Sequence, residues 1–232
     1  MLQIKSLKDV VTDGRVKALV YGFSGAGKTR LIATLPGKGL VLSAEAGLLS
    51  LRPVLDQCAD VDVAEVSTID DVRAAYAHLR ANPTAYQWVA LDSLSEIAEV
   101  VLVDEKKKTK DPRQAYGALI DGMLELVKAF RDLPLDVYMI CKAERVKDES
   151  TGRMLTQIMT PGAKLAQALP FLFDEILFLF AEEVAAPDGN GTVYQRFLQT
   201  RRGPTTEAKD RSGKLDPLEP ADLGALLAKI RA

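Results

Sequence analysis

Apolar runs alternate with helical patterns along most of the chain. Residues 16–22 (VKALVYG) form a nearly unbroken apolar run, the pattern of a strand buried on both faces. Residues 28–35 (KTRLIATL) open a helix that Pro36-Gly37 ends. Further strands are predicted at 39–45 (GLVLSAE), 61–67 (VDVAEVS), 86–93 (YQWVALDS) and 135–143 (LDVYMICKA). Between them, 68–82 reads as a helix that starts on a Thr68/Asp71 capping box and stops before Pro83. Residues 95–108 and 113–131 read as two helices interrupted near Asp111-Pro112. A polar segment follows at 144–163, then a short helix over AKLAQALPFLF. The runs 174–183 and 193–201 predict a hairpin around Asp188-Gly189-Asn190-Gly191, and 221–231 a short amphipathic helix. Residues 1–10 suit either a strand docking on a neighbour or a segment packing on its own domain.

Strands that alternate with helices early in a chain predict an α/β fold. Its sheet is mostly parallel and covered on both faces, here with a late antiparallel addition. Ligands of such sheets bind at the carboxyl ends of the strands. The polar residues 24–29, Glu45, Asp92 and 142–144 all fall at that edge.

Composition narrows the picture. The 232 residues are 47% hydrophobic and 27% charged, enough to bury a sizeable core, and no Pro/Gly/Ser-rich linker divides them, so one domain over 1–232 is predicted. The net charge of -2 argues against a global polyanion field, leaving only a local basic patch for nucleic acid. No uncharged apolar run approaches the ~18 residues of a membrane span. Residues 1–20 carry charges throughout, which predicts no signal peptide. Cys58 and Cys141 lack metal-ligand spacing and read as apolar thiols of a reducing compartment, so a cytoplasmic location is expected. His78 reads as a surface or boundary residue and Trp88 as core. The run 106–110 (KKKTK) closes a helix whose carboxyl terminus it favours electrostatically.

The chemistry begins at GFSGAGKT, residues 22–29, between a predicted strand and a predicted helix. It matches G-x-x-x-x-G-K-[ST], the P-loop of nucleoside-triphosphate sites. Small residues let backbone amides cradle phosphate oxygens, and the helix amino terminus adds partial positive charge. Gly22, Phe23, Ser24, Gly25, Ala26, Gly27, Lys28, Thr29 and Arg30 are therefore the predicted ATP-binding residues. Lys28 would reach the β- and γ-phosphates, and the Thr29 hydroxyl would ligate Mg²⁺. Asp92 ends an apolar strand and suits the Walker B carboxylate of the metal shell, with helix N-cap as its other reading. Glu45, just past the second strand, suits the base that activates water, with a solvated loop carboxylate as its other reading.

The order of GFSGAGKT, LVLSAEAGL and VALDSLSEI resembles the RecA-like core ATPases. PGAKLAQALPFLFDEILFL and FLQTRRGPTTEAKDRSGKLD are similar to a narrower group, the small phage-encoded P-loop proteins regarded as RecA-like single-strand-annealing or recombination ATPases (Sak-type). The resemblance covers about residues 16–220. It implies that 144–163 is a DNA-binding loop, with Arg145, Lys147, Arg153 and Lys164 as its phosphate contacts. Lys142–Lys164 holds five basic residues against three acids and no aromatic for base stacking, the composition of a solvated loop as much as of a DNA contact. The segment 196–214 holds six basic residues against two acids. Its EAKDRSG resembles an element that ring and filament ATPases place against a neighbour's ATP, which implies Lys209 and Arg211 as catalytic fingers acting in trans. Its other reading is an exposed basic loop or a second DNA patch. One departure stands out: RecA-like proteins usually carry Gln or His near the end of the fifth strand as a γ-phosphate sensor, whereas ICKAER offers Lys142 or Glu144, neither of which matches that pattern.

The resemblance implies a homo-oligomer (filament or ring) that hydrolyses ATP with Mg²⁺ on single-stranded DNA, in the host cytoplasm if phage-encoded. A single-strand-binding protein is a candidate further partner. The rival readings are a nucleotide-gated loader or regulator acting on a helicase or single-strand-binding protein, and a small-molecule P-loop kinase.

Overall fold

The computed structural model describes Ser6 and residues 14–58, 60–186 and 190–232. The segment 1–10, apart from Ser6, and Asp188-Gly189 of the predicted turn lie outside the described residues. The elements run β1 (Lys17–Gly22), α1 (Lys28–Leu31), β2 (Gly39–Ser43), β3 (Val61–Glu65), α2 (Ile69–Ala81), β4 (Trp88–Asp92), α3 (Leu94–Lys108) and α4 (Pro112–Arg131). They continue β5 (Asp136–Lys147), β6 (Met154–Met159), α5 (Ala163–Ala168), β7 (Glu175–Ala185), β8 (Thr192–Gln199), β9 (Lys209–Asp210), β10 (Leu218–Pro220) and α6 (Leu223–Arg231).

The sheet order is β10-β8-β7-β1-β5-β4-β2-β3, with β6 paired to β5 and β9 to β7. From β7 to β3 every pairing is parallel. Those of β6, β8, β9 and β10 are antiparallel. One strand, β5, separates the P-loop strand β1 from the Asp92 strand β4. The fold is the expected α/β architecture, with a mostly parallel sheet flanked by helices and a C-terminal antiparallel hairpin.

The unbroken apolar strands follow from two cores, one on each face. Leu19, Tyr21, Leu42, Leu91, Met139 and Cys141 face α2, α3 and α4, whereas Ala18, Val20, Val41, Ala90 and Ile140 face α1 and α6. Alternate residues of one strand thus enter opposite cores, so the middle of each central strand is apolar at both parities and the polar residues fall at its ends. The Thr68/Asp71 capping box forms as expected, and Trp88 is buried while His78 is exposed. No helix among the described residues is long and apolar enough to cross a membrane.

Two expectations change. The helix after the P-loop is short: α1 passes at Ile32 into one 3-10 turn, and Leu35 is already extended ahead of Pro36. Segment 144–163 is not an open loop but mostly a β-hairpin of β5 and β6, paired from Lys142↔Met159 to Lys147↔Met154. Its turn is built by Asp148, whose carboxylate accepts from Ser150 N (2.9 Å), Ser150 Oγ (2.7 Å) and Thr151 Oγ1 (2.7 Å), with Gly152 at φ 71. The two hydroxyls, then the amide, hold that carboxyl down at about 2. The turn's polar residues gave the segment its loop-like composition.

Candidate functional site

β1 ends at Gly22, level with Lys142 of β5 on one side and Leu179 of β7 on the other. A Cβ at Gly22 would sit 2.6 Å from the Leu179 carbonyl oxygen, so only glycine fits. The chain then turns through Gly25 (φ 77) and Gly27 (φ 96), with Ala26 N–H bonded to Phe23 O at 3.2 Å and Leu31 N–H to Gly27 O at 3.0 Å. Successive amides in such turns form a nest for anionic oxygens. Lys28 folds back over the loop, its Nζ donating to Phe23 O at 3.0 Å. Burial lowers the Lys28 pKa, and the charges of Glu45 and Asp92 oppose that shift. Arg30 follows on the exposed side of α1.

Asp92, at the end of β4, accepts from Thr29 Oγ1 at 2.7 Å. It is only 3% exposed, and burial raises its pKa against the lowering effect of the Thr29 bond. A hydroxyl and a buried carboxylate form an all-oxygen donor pair at the mouth of a phosphate nest. That chemistry fits Mg²⁺. The Asp92–Ser93 peptide is cis. The N-cap of α3 is Ser93, whose Oγ accepts from Glu96 N at 3.2 Å, so Asp92 is left free for the site.

Glu45 lies in the loop after β2. Its own carbonyl accepts from Ser43 Oγ (2.9 Å), and Ala44 N–H donates to Asp92 O (2.8 Å), tying that loop to β4. The Glu45 carboxylate accepts from Ser93 Oγ and pairs with Lys142 Nζ at 3.3 Å. Lys142 makes a shorter pair with Glu96 Oε2, 2.6 Å, and its amide donates to Ser95 Oγ at 2.9 Å. Lys28, Thr29, Glu45 and Asp92 therefore lie at one edge of the sheet, where an ammonium, a hydroxyl and two carboxylates could meet a phosphate-bearing ligand.

The other predicted residues separate. Arg145 stands on the β5–β6 hairpin above the P-loop, its guanidinium 5.2 Å from the centre of the Phe23 ring. Lys147 lies further out on the same strand and Arg153 in the turn, both exposed. Lys164 is exposed on α5, the helix that follows the hairpin. Lys209 lies on β9, paired opposite Ile176 at the amino end of β7, and Arg211 follows immediately after β9. Because Ala18 of β1 pairs with Glu175, both residues sit at the opposite end of the sheet from their own P-loop. There Lys209 Nζ donates to Pro170 O, and Arg211 pairs with Asp174 at 3.2 Å.

Sequence reasoning missed Ser93 and Glu96 as partners of Glu45 and Lys142. Both belong to a helix start, and capping alone explains their residue types. It also missed Arg196 of β8, whose Nε donates to the P-loop carbonyl of Ala26 at 3.0 Å from 170 residues away.

A family model described as AAA domain matches residues 15–212. No curated protein matches the chain. Among solved structures, a KaiC-like protein from the hyperthermophilic archaeon Pyrococcus horikoshii OT3 is similar over 84% of this chain and 81% of that one, at 13% identity and a TM-score of 0.49.

Proposed function

The chain belongs to the AAA domain family of P-loop proteins, and from that premise we propose that it hydrolyses ATP at subunit interfaces and acts on single-stranded DNA, in recombination or annealing of phage type. The observation that carries the hydrolysis reading is the convergence of Lys28, the Thr29–Asp92 pair and Glu45 on one strand edge. The P-loop amides and Lys28 bind the β- and γ-phosphates. Thr29 and Asp92 would hold Mg²⁺, which would neutralise phosphate charge. Glu45 orients a water and takes its proton as the water oxygen bonds to the γ-phosphorus. The bond from that phosphorus to the bridging oxygen breaks, and its electron pair leaves on ADP beside Lys28. The proton departs later with phosphate or to solvent.

Two placements support the finer reading. Arg145, Lys147 and Arg153 put positive charge on an exposed hairpin that touches the P-loop through Phe23, so a bound polyanion has a physical route to the ATP site. Lys209 and Arg211 lie too far from their own P-loop to serve it, so a role at a phosphate is a role in a neighbour's site.

The test is steady-state ATPase of wild type and Lys28→Ala, with and without single-stranded DNA at low salt. DNA is expected to raise wild-type turnover, and Lys28→Ala to abolish it. An absence of both DNA binding and stimulation refutes the DNA reading. Stimulation by a helicase or a single-strand-binding protein alone would replace it with the loader reading.

A further inference from the structure

Two basic segments far apart in the sequence meet beside the P-loop. The Thr156 amide of the β5–β6 hairpin donates to Thr205 O at 2.7 Å, and Thr156 forms a parallel bridge with Thr206. Gln199 Nε2 pins the same turn, donating to Arg201 O and to Thr206 Oγ1, both at 2.7 Å. Arg145, opposite Thr156 in the hairpin, and Arg201 and Arg202 in the turn are all exposed. Between the hairpin and the β7–β8 arm lies an open cleft of about 530 Å³, which Arg145, Thr156, Phe178, Phe180 and Gln199 line together with P-loop residues 23–26. Its size is within the ~300–1,000 Å³ of small-ligand sites. The rings that 142–164 lacks for base stacking are supplied here by other elements. Phe178 and Phe180 stack with centroids 5.6 Å apart and planes 17° from parallel. Phe23 meets Phe178 edge-on at 6.3 Å, and its own ring carries the Arg145 guanidinium. Phe180 is half-buried, as is Phe23. A flat heterocycle laid on Phe180 extends a stack that is already formed, and rings held this way lose little freedom on binding. Glu182, two residues along β7 and on the same face as Phe180, disfavours phosphate at that rim and can accept from base amino groups.

We propose that this cleft takes an unpaired base of a single-stranded nucleic acid on Phe180, with the flanking phosphates on Arg145 and on the Arg201–Arg202 turn. This rests on the reading of single-stranded DNA as the partner. It moves base contact from the tip of the β5–β6 hairpin to the β7–β8 arm, and it makes the two basic segments one surface. A base inside a duplex has both faces covered by its neighbours and reaches Phe180 only at the cost of unpairing and unstacking. The cleft therefore selects single strands by access to a base face, not by sequence. Phe23 belongs both to its wall and to the P-loop, so a seated base adjoins the ATP site without touching the phosphates.

The experiment is fluorescence anisotropy of the full chain with a labelled oligothymidylate and with an abasic strand of the same length, across a salt series. Wild type should bind the base-bearing strand on the order of tenfold more tightly, the scale of one base stack. Phe180→Leu should remove that preference and leave the salt dependence as in wild type. Arg145→Gln should do the reverse, keeping the preference while the log–log salt slope falls by about 0.7, one phosphate contact on a single strand. Phe180→Trp puts an indole in the cleft, and its emission should be quenched by the base-bearing strand and not by the abasic one. A preference that survives in Phe180→Leu, or equal binding of the two strands by wild type, overturns the cleft alone and leaves the DNA reading standing. If Phe180→Leu does not fold, Phe180→Trp decides, and emission that the base-bearing strand leaves unchanged overturns the cleft. Failure of wild type to bind either strand at low salt removes the DNA reading and the cleft with it.

Discussion

The two ends of the parallel sheet carry similar charges and use them differently. At the amino end the charges are mostly closed. Asp136, 5% exposed, accepts from Arg231 at 2.8 and 2.6 Å and from Val16 N at 2.8 Å. Lys17 donates to the carbonyls of Leu133 and Leu135, and Lys209 to that of Pro170. These partners are backbone or buried, and they anchor α6 and β9 to the strands. At the carboxyl end, Lys28 rests on a loop carbonyl, Thr29 on Asp92, and Lys142 on two carboxylates. Each of those contacts can be exchanged for a phosphate oxygen or a metal without unfolding an element. A stabilising end has irreplaceable partners, whereas a working end has provisional ones.

Arg211 breaks the contrast most sharply, because it lies at the closed end yet leaves 53% of its side chain exposed. If it acts on a neighbour's ATP, Arg211→Ala lowers turnover by on the order of 10³ with ATP affinity intact. Mixing that variant with Lys28→Ala chains then restores part of the activity, since one supplies the P-loop and the other the finger. If the residue is only structural, turnover holds and mixing does nothing.

Arg231→Ala tests the closed end itself. It strands a buried Asp136 carboxylate and should cost about 2 kcal/mol in urea unfolding, less than the ~3–5 of a fully buried pair because Arg231 is 42% exposed. The per-subunit affinity for ATP should not change.

Glu175 gives the smallest effect. It is 2% exposed and sits opposite Asp210 in the β7–β9 pair. Burial, then the Asp210 charge, pushes its pKa up to about 8. The folded chain therefore holds a proton that the unfolded chain has lost above the ordinary carboxyl value of 4.5, and stability from this group falls as pH rises from there to about 8. The thermal unfolding midpoint of wild type should fall from pH 6 to 8, and Glu175→Gln should flatten that slope. An unchanged slope would remove Glu175 from the account of the closed end.

The working end was the more legible of the two in sequence, for a physical reason. Residues 22–29 lie in one strand–loop–helix unit, and Glu45 and Asp92 each end an apolar run, so local pattern places all three at one edge. What it could not give was pairing across the chain. Ser93 and Glu96 look like an ordinary helix start, and Arg196 reaches the P-loop only because β8 folds back beside β7. The β5–β6 hairpin was hidden because its turn residues, Asp148 to Gly152, dominate the composition of a short segment. β9 and β10, of two and three residues, are too short for any periodicity to register.

In the proposed mechanism Glu45 activates the attacking water at a P-loop site completed by Thr29 and Asp92. Single-turnover hydrolysis of pre-bound ATP by Glu45→Gln, beside wild type, tests it most directly. Glu45→Gln is expected to bind ATP within about twofold of wild type and to cleave it more slowly by ~10²–10⁴. Cleavage at the wild-type rate with ATP fully bound would contradict it.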